Sequence, residues 1–341
     1  CLSDILYISR PVSCGIFLSY KCTAECRHCM YNCSSKWSVD WISLSGLEKV
    51  LHYLSESIIA SPFGRDRIGI NYGLHFTGGE PFLNFDLLVR CVKAASNFNI
   101  PSLFVESNCF WCVNDDITFR WFSLLRDAGL HGILVSVNPF ILEYVSFDRM
   151  DRAVRIGRKV FNGNVMVYQE SFYRFFREIG LKNKLSLQEF FRHGYGFLLN
   201  YAELLPMGRL PYRLGFLYKK YPAEKFFKMS CRDDLTRDWH IHIDNYFNYI
   251  PGYCGGISLG DARDMDSIFQ GIDLDNYPIL NALSKNIGEL YRFAVDEYNY
   301  RELKNGYISK CHLCLDIRKH IVEETDEYKE LKPIEYYHHI E

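Results

Sequence analysis

The stretch Gly15-Ile-Phe-Leu-Ser-Tyr-Lys-Cys22-Thr-Ala-Glu-Cys26-Arg-His-Cys29 decides how this chain is read, because a short apolar run ends in three closely spaced cysteines. The run Gly15–Tyr20 has the length and composition of a buried strand. Cys22, Cys26 and Cys29 form a C-x3-C-x2-C pattern. Three thiolates so near in sequence can ligate one four-iron cluster and leave its last iron without a protein ligand. A conventional electron-transfer cluster is held by four cysteines, so an open iron suits chemistry on a bound molecule. Taken alone, the pattern serves a zinc site equally well. A second motif, Thr77-Gly78-Gly79-Glu80-Pro81, follows the next expected strand, Ile68–Phe76.

Composition narrows the class. The chain has 341 residues, 48% of them hydrophobic, enough for one large domain and a smaller one. A net charge of −2 gives no electrostatic case for nucleic acid or for an anionic membrane surface. There is no apolar run of the ~20 residues that a membrane-spanning helix needs, and no signal-peptide pattern opens the chain. The first residue is Cys1 rather than Met, so the natural start is expected to lie upstream. Thirteen cysteines is an odd number with tight C-x-x-C spacings, which favours metal or redox use in a reducing, cytoplasmic setting over a disulfide framework. Aromatic content of 16% supplies core and also suits the walls of a cavity that confines a reactive species.

Strand and helix patterns alternate from Gly15 onward. Ser45-x-x-Glu48 reads as a capping box before a stripe of Leu47, Val50, Leu51, Leu54 and Ile58. Asn84 caps a helix with Leu88, Cys91, Val92 and Ala95 on its apolar face. Strands are expected at Ser102–Glu106, Ile133–Val137, Val165–Gln169 and Phe197–Leu205. Helices are expected from Asp115 to Gly129, over Asp148–Val160, and after the box Ser186-x-x-Glu189. Six strand–helix alternations argue a parallel sheet with right-handed crossovers, either an open doubly wound sheet or a partial barrel. Beyond Pro206 the rhythm changes. Trp239–Ile243 and Tyr246–Ile250 read as a hairpin across the two-residue turn Asp244-Asn245. Helices are expected over Tyr277–Ser284 and Ile287–Tyr298, and Cys311-x-x-Cys314 leads into a basic segment.

The cysteine triad and the Gly-Gly-Glu turn, in this order and each just after a strand, resemble the radical S-adenosylmethionine (radical SAM) superfamily. The resemblance implies an α/β fold with a partial (β/α)6 barrel over residues 1–210 and a smaller α+β cluster-binding domain over 211–341. In that reading Cys22, Cys26 and Cys29 hold a [4Fe-4S] cluster whose open iron binds S-adenosylmethionine (AdoMet). The reduced cluster cleaves AdoMet to a 5′-deoxyadenosyl radical that abstracts hydrogen from a substrate. Gly78 and Gly79 are expected to admit the methionine moiety, so a bulky side chain at Gly79 should weaken AdoMet binding and spare the cluster. His28, Glu80, Ser107, Asn108, Ser136 and Asn138 occupy positions that the family uses around the cofactor. Each also has an ordinary use, as a packed imidazole, a turn residue or a strand-end cap. Glu80 and Glu170 are the acidic candidates for catalysis, with Gln169 beside Glu170.

Cys231, Cys254, Cys311 and Cys314 resemble the auxiliary-cluster domains called SPASM and twitch. Four cysteines suffice for one complete second [4Fe-4S] cluster, which fits the shorter twitch form, and a zinc site is the alternative. Cys109-Phe-Trp-Cys112 has redox-pair spacing but reads as loop and core sulfur, and Cys91 as core. His240 and His242 alternate along a strand and read as a solvated face. The resemblance implies an oxygen-sensitive enzyme that modifies a peptide or protein side chain, reduced by a flavodoxin- or ferredoxin-like partner. Small-molecule chemistry in cofactor or natural-product biosynthesis is the alternative. A non-catalytic iron–sulfur carrier or scaffold is the rival from another class, and the Gly78-Gly79 turn argues against it. Neither a leader-recognition nor a cobalamin domain is expected before Cys22.

Overall fold

A computed structural model of the chain describes residues 4–341, so Cys1 lies outside the described residues. The chain divides into two compact units. One, the sheet unit, comprises Val12–Cys26 and Cys33–Leu204. The other, the C-terminal unit, comprises Leu205–Glu341, the start of the chain through Pro11, and the short segment Arg27–Asn32.

The sheet unit is mixed α/β. Its strands are β1 (Ser13–Ser19), β2 (Gly73–Gly78), β3 (Phe104–Ser107), β4 (Gly132–Ser136) and β5 (Val165–Tyr168). They lie side by side in sequence order, all parallel. Helices α1 (Leu44–Leu54), α2 (Phe85–Asn97), α3 (Asp115–Asp127) and α4 (Phe147–Val160) make the crossovers, followed by α5 (Glu170–Glu178) and α6 (Leu187–Arg192). Successive side chains alternate between the two sheet faces. Ile133 and Val165 pack outward against Gly157 of α4, while Phe104, Leu134, Met166 and Tyr168 cluster with Ile68 on the inner face.

Several boundaries differ from the sequence reading for identifiable reasons. The cap of α1 is Ser43, whose hydroxyl accepts from Gly46 N–H, and not Ser45. The reciprocal capping box at Ser186 and Glu189 is present. No sixth strand forms over Phe197–Leu205. Gly194 takes a left-handed φ of 78°, and Tyr195–Tyr201 winds into a 3-10 helix that leaves Phe197 and Tyr201 exposed. A continuous apolar run does not distinguish strand from helix. The five strands are parallel and in sequence order, as the expected α/β fold requires, and no closed barrel forms among the described residues.

The C-terminal unit is built around a small antiparallel hairpin, β6 (Ile241–Ile243) and β7 (Tyr249–Ile250). The connection is longer than two residues. Asp244 accepts hydrogen bonds from Tyr246 N–H, Asn248 N–H and Asn248 Nδ2, which holds the intervening loop. Helices α7 (Pro278–Lys285), α8 (Ile287–Tyr298) and α9 (Lys310–Glu324) follow. Ile5–Leu6 adds a two-residue pairing with Ile272–Asp273. No helix among the described residues is long and apolar enough to cross a membrane.

Candidate cysteine centres and the strand-end turn

In the sheet unit, the chemistry-bearing residues gather where β1, β2 and β3 end. The chain leaving β1 is pinned by Tyr20 stacked on Trp37 at 4.1 Å and by Cys22 N–H donating to Ser34 O at 3.0 Å. The turn after β2 zips onto the same backbone. Gly79 N–H donates to Ser19 O at 2.8 Å and Glu80 N–H to Lys21 O at 2.9 Å. An added Cβ at Gly79 would sit 1.9 Å from Lys21 O, and one at Gly78, whose φ is 109°, 2.5 Å from Ser19 O. These glycines are thus required by backbone packing against the chain that feeds Cys22.

Glu80 is 2% exposed and acts as a strut. Its carboxylate accepts from Phe82 N–H (3.2 Å), Ser107 Oγ (3.0 Å) and Asn108 N–H (2.8 Å). Burial pushes its pKa up to about 7, against the pull of those three donors. Ser107 is equally committed, since its hydroxyl also accepts from Cys109 N–H and Trp111 Nε1. Asn108 reaches the cysteine loop, with Nδ2 3.0 Å from Thr23 Oγ1 and 3.8 Å from Cys22 Sγ. Asn138 caps the turn after β4 by accepting from Phe140 and Ile141 N–H, and Ser136 at the end of β4 is half-buried. Glu170 lies away from this group. It opens α5 on the solvent side, paired with Arg174 at 2.9 Å, while Gln169 Nε2 donates to Glu203 O.

The sequence reading missed Glu106. Its carboxylate accepts from Thr77 Oγ1 at 2.7 Å and lies 3.4 Å from His75 Nε2, whose pKa burial pushes down to about 3. The signal was present as period-2 alternation, which puts His75, Thr77, Phe104 and Glu106 on one face of neighbouring strands. Cys109 and Cys112 are fully buried, and burial raises the Cys109 thiol well above its ordinary value, which leaves it unreactive.

Cys29 falls in the segment that groups with the C-terminal unit. Its carbonyl accepts from Arg209 N–H at 3.0 Å, and Tyr336 Oη donates to Met30 O at 3.1 Å. Gly208 permits this approach, since a Cβ there would meet Met30 Cα at 2.4 Å. His28 in the same segment is neutral at working pH, because burial and then the Arg209 charge push it down to about 4.

Cys231, Cys254, Cys311 and Cys314 all line one cavity of roughly 630 Å³, its open mouth included. Cys231 precedes a short helical turn, with its N–H donating to Leu283 O. Cys254 sits in the glycine loop after β7, where Gly255 and Gly256 leave room for the Tyr336 ring. Cys311 and Cys314 occupy the first turn of α9, capped by Ser309, and their spacing of three puts both on one helix face. Burial first, and then the neighbouring thiols, push Cys254 up to about 12 and Cys311 up to about 11. Without a cation Cys254 and Cys311 stay protonated, so ligation by these two must displace protons. Among the described residues no three of these sulfurs lie within 4.8 Å of one another. His240 and His242 are buried, and the solvated face expected of them is corrected. The hydroxyl of Tyr31 and the carbonyl of Gly252 lie 2.8 and 2.9 Å from His242 Nδ1.

No family model matches the chain, and no curated protein matches it. Among solved structures, anSMEcpe with bound AdoMet and Cp18Cys peptide is similar over 92% of this chain and 98% of its own, at 12% identity and a TM-score of 0.45. BtrN in complex with AdoMet and 2-DOIA is similar over 84% of this chain and 91% of its own, at 12% identity and a TM-score of 0.42. SuiB of Streptococcus suis bound to S-adenosylmethionine is similar over 73% of this chain and 61% of its own, at 12% identity and a TM-score of 0.35.

Two predictions follow from the strand-end turn. The sequence reading expected a side chain at Gly79 to spare the cluster; the packing reverses that. Gly79→Ala forces the Lys21 backbone away, so the protein should lose roughly 1–3 kcal/mol of stability and part of its iron. Iron content equal to wild type in a purified Gly79→Ala protein would contradict the packing argument. Glu80 carries a pKa raised from 4.5 to about 7 on folding. Its contribution to stability is therefore present below pH 4.5 and is lost as pH rises through about 7. In urea melts across that window, Glu80→Gln should gain on wild type as pH rises, and a gap that narrows instead would refute the assignment.

Proposed function

We propose that this chain is a radical SAM enzyme that modifies a peptide or protein side chain. The observation that carries the reading is the hydrogen-bonded knot joining Cys22, the Gly79–Glu80 turn and Asn108 at the ends of three neighbouring strands. Cys22, Cys26 and Cys29 are the ligands assigned to the catalytic [4Fe-4S] cluster. When bound, the cluster and AdoMet supply one-electron reduction and hydrogen-atom abstraction. The chain's own residues position and shield. Asn108 and Ser136 are assigned to the cofactor, and His28 to its aromatic surroundings as a neutral ring. Glu80 and Ser107 act through the turn they brace, since their polar atoms are spent inside the protein.

The inner sheet face offers Thr77, Glu106, Ser136 and Tyr168 across four strands. Hydrogen-bonding groups spread so widely suit a substrate with its own backbone amides, which supports a peptide over a small molecule. The four cysteines of the C-terminal unit are assigned to a second, fully protein-ligated cluster. Full ligation leaves no open iron, which favours electron transfer from substrate over direct coordination.

The test uses anaerobically reconstituted full-length chain with AdoMet and reductant, following deuterium from labelled peptides into 5′-deoxyadenosine. Replacing Cys22, Cys26 and Cys29 with Ala should abolish 5′-deoxyadenosine, and its persistence would sink the assignment. Replacing Cys231, Cys254, Cys311 and Cys314 with Ala should halve iron from roughly eight per chain and cut product more than uncoupled AdoMet cleavage. Bound zinc with only about four irons in the wild type would refute the second cluster.

A further inference from the structure

Arg318 is the one group at the cysteine cavity whose position the proposed chemistry has not yet used. It lies one helical turn beyond Cys314 on α9, is 5% exposed, and lines the cavity. Its Nε donates to Cys314 Sγ at 3.3 Å. One terminal nitrogen donates to Gly255 O at 3.0 Å and to Tyr337 Oη at 2.7 Å. Tyr337 in turn donates to Gly256 O at 2.6 Å, so the guanidinium is held in a fixed plane. The other cations nearby are answered: Lys310 and Arg237 both pair with Asp234, at 2.6 and 3.2 Å. Arg318 meets oxygens of Gly255 and Tyr337, the Cys314 sulfur and the face of the Tyr337 ring, and among the described residues no ion pair joins it to a carboxylate.

A buried cation is costly unless an anion answers it. The group its Nε meets is Cys314 Sγ, one of the four sulfurs that line the cavity. Four thiolates on an oxidised four-iron core leave about two net negative charges, and reduction adds a third. A fixed cation, with an N–H aimed at a ligand sulfur, stabilises the more negative, reduced state more than the oxidised one. Hydrogen bonds to the sulfurs and local charge are the levers by which proteins set such potentials.

We infer that Arg318 is the built-in counter-cation of the four-cysteine centre and raises its reduction potential through the hydrogen bond to Cys314. The inference rests on the assignment of an iron–sulfur cluster to Cys231, Cys254, Cys311 and Cys314. It makes Arg318 a positioning residue that favours acceptance of one electron by that centre, and gives it no contact with the reacting atoms.

The experiment is a dye-mediated redox titration, followed by EPR, of anaerobically reconstituted full-length protein as wild type, Arg318→Lys and Arg318→Met, with iron counted in each. Arg318→Met should shift the reduced-to-oxidised ratio of the second cluster at least tenfold toward oxidised, about 59 mV lower for a one-electron couple. Arg318→Lys, which keeps the charge and loses the fork, should fall between. A second cluster that titrates at the wild-type potential in Arg318→Met overturns the inference and leaves the cluster assignment standing. If the Met variant sheds the second cluster, the Lys variant decides. Iron retained at a lowered midpoint supports the inference, whereas an unchanged midpoint, or lost iron in a folded chain, overturns it. A wild-type chain with only four irons and no second signal overturns the cluster assignment and this inference together.

Discussion

The constraint on which the sheet unit depends is the contact between two backbones. Gly79 and Glu80 donate successive N–H groups to Ser19 and Lys21, at a separation that admits no side chain on Gly79. The strand pairing of β1 and β2 shifts register between Phe17 and Ser19, which swings the exit of β1 under the glycine turn. Cys22 therefore inherits its position from this backbone zip together with the Tyr20–Trp37 stack. Glu80 extends the same constraint to a third strand by tying the turn to Ser107 and Asn108. A carboxylate with every neighbouring donor aimed at it is a brace, and its buried charge is tolerated because those donors are fixed before it ionises.

The C-terminal unit solves a different problem. It gathers four thiols from three segments of the chain around one cavity. Glycines at 255 and 256 let Tyr336 pack against the Cys254 loop, and α9 brings Cys311, Cys314 and a buried guanidinium from consecutive turns of one face. Tyr336 thus belongs to the wall of the cysteine cavity, and Tyr337 backs it through Arg318. Charge as well as shape marks this cavity, since the buried Arg318 guanidinium is aimed at one of its sulfurs.

Much of this was legible in the sequence. The cysteine triad, the Gly-Gly-Glu turn, the order of strands β1 to β5, the caps at Asn84 and Ser186, and the second set of cysteines all announce themselves by spacing or period. What was not legible depended on partners far along the chain. Phe197–Leu205 looks like a strand until Gly194 turns left-handed and the chain winds into a 3-10 helix. Asp244 organises a loop through its own side chain, which a two-residue turn reading overlooks. Glu80 and Ser107 look like ligand residues until their hydrogen bonds are traced, and Glu170 until the chain turns into α5 and presents it to solvent. Arg318 was within reach, because a spacing of four after Cys314 places it on the same helix face. Its burial without a carboxylate was not.

The most direct test of the central claim is EPR of the reduced, anaerobically reconstituted chain with and without AdoMet. The account predicts two cubane signals, of which only the one that depends on Cys22, Cys26 and Cys29 changes on adding AdoMet. A spectrum that AdoMet leaves untouched, or one in which it perturbs a signal surviving loss of that triad, would contradict it.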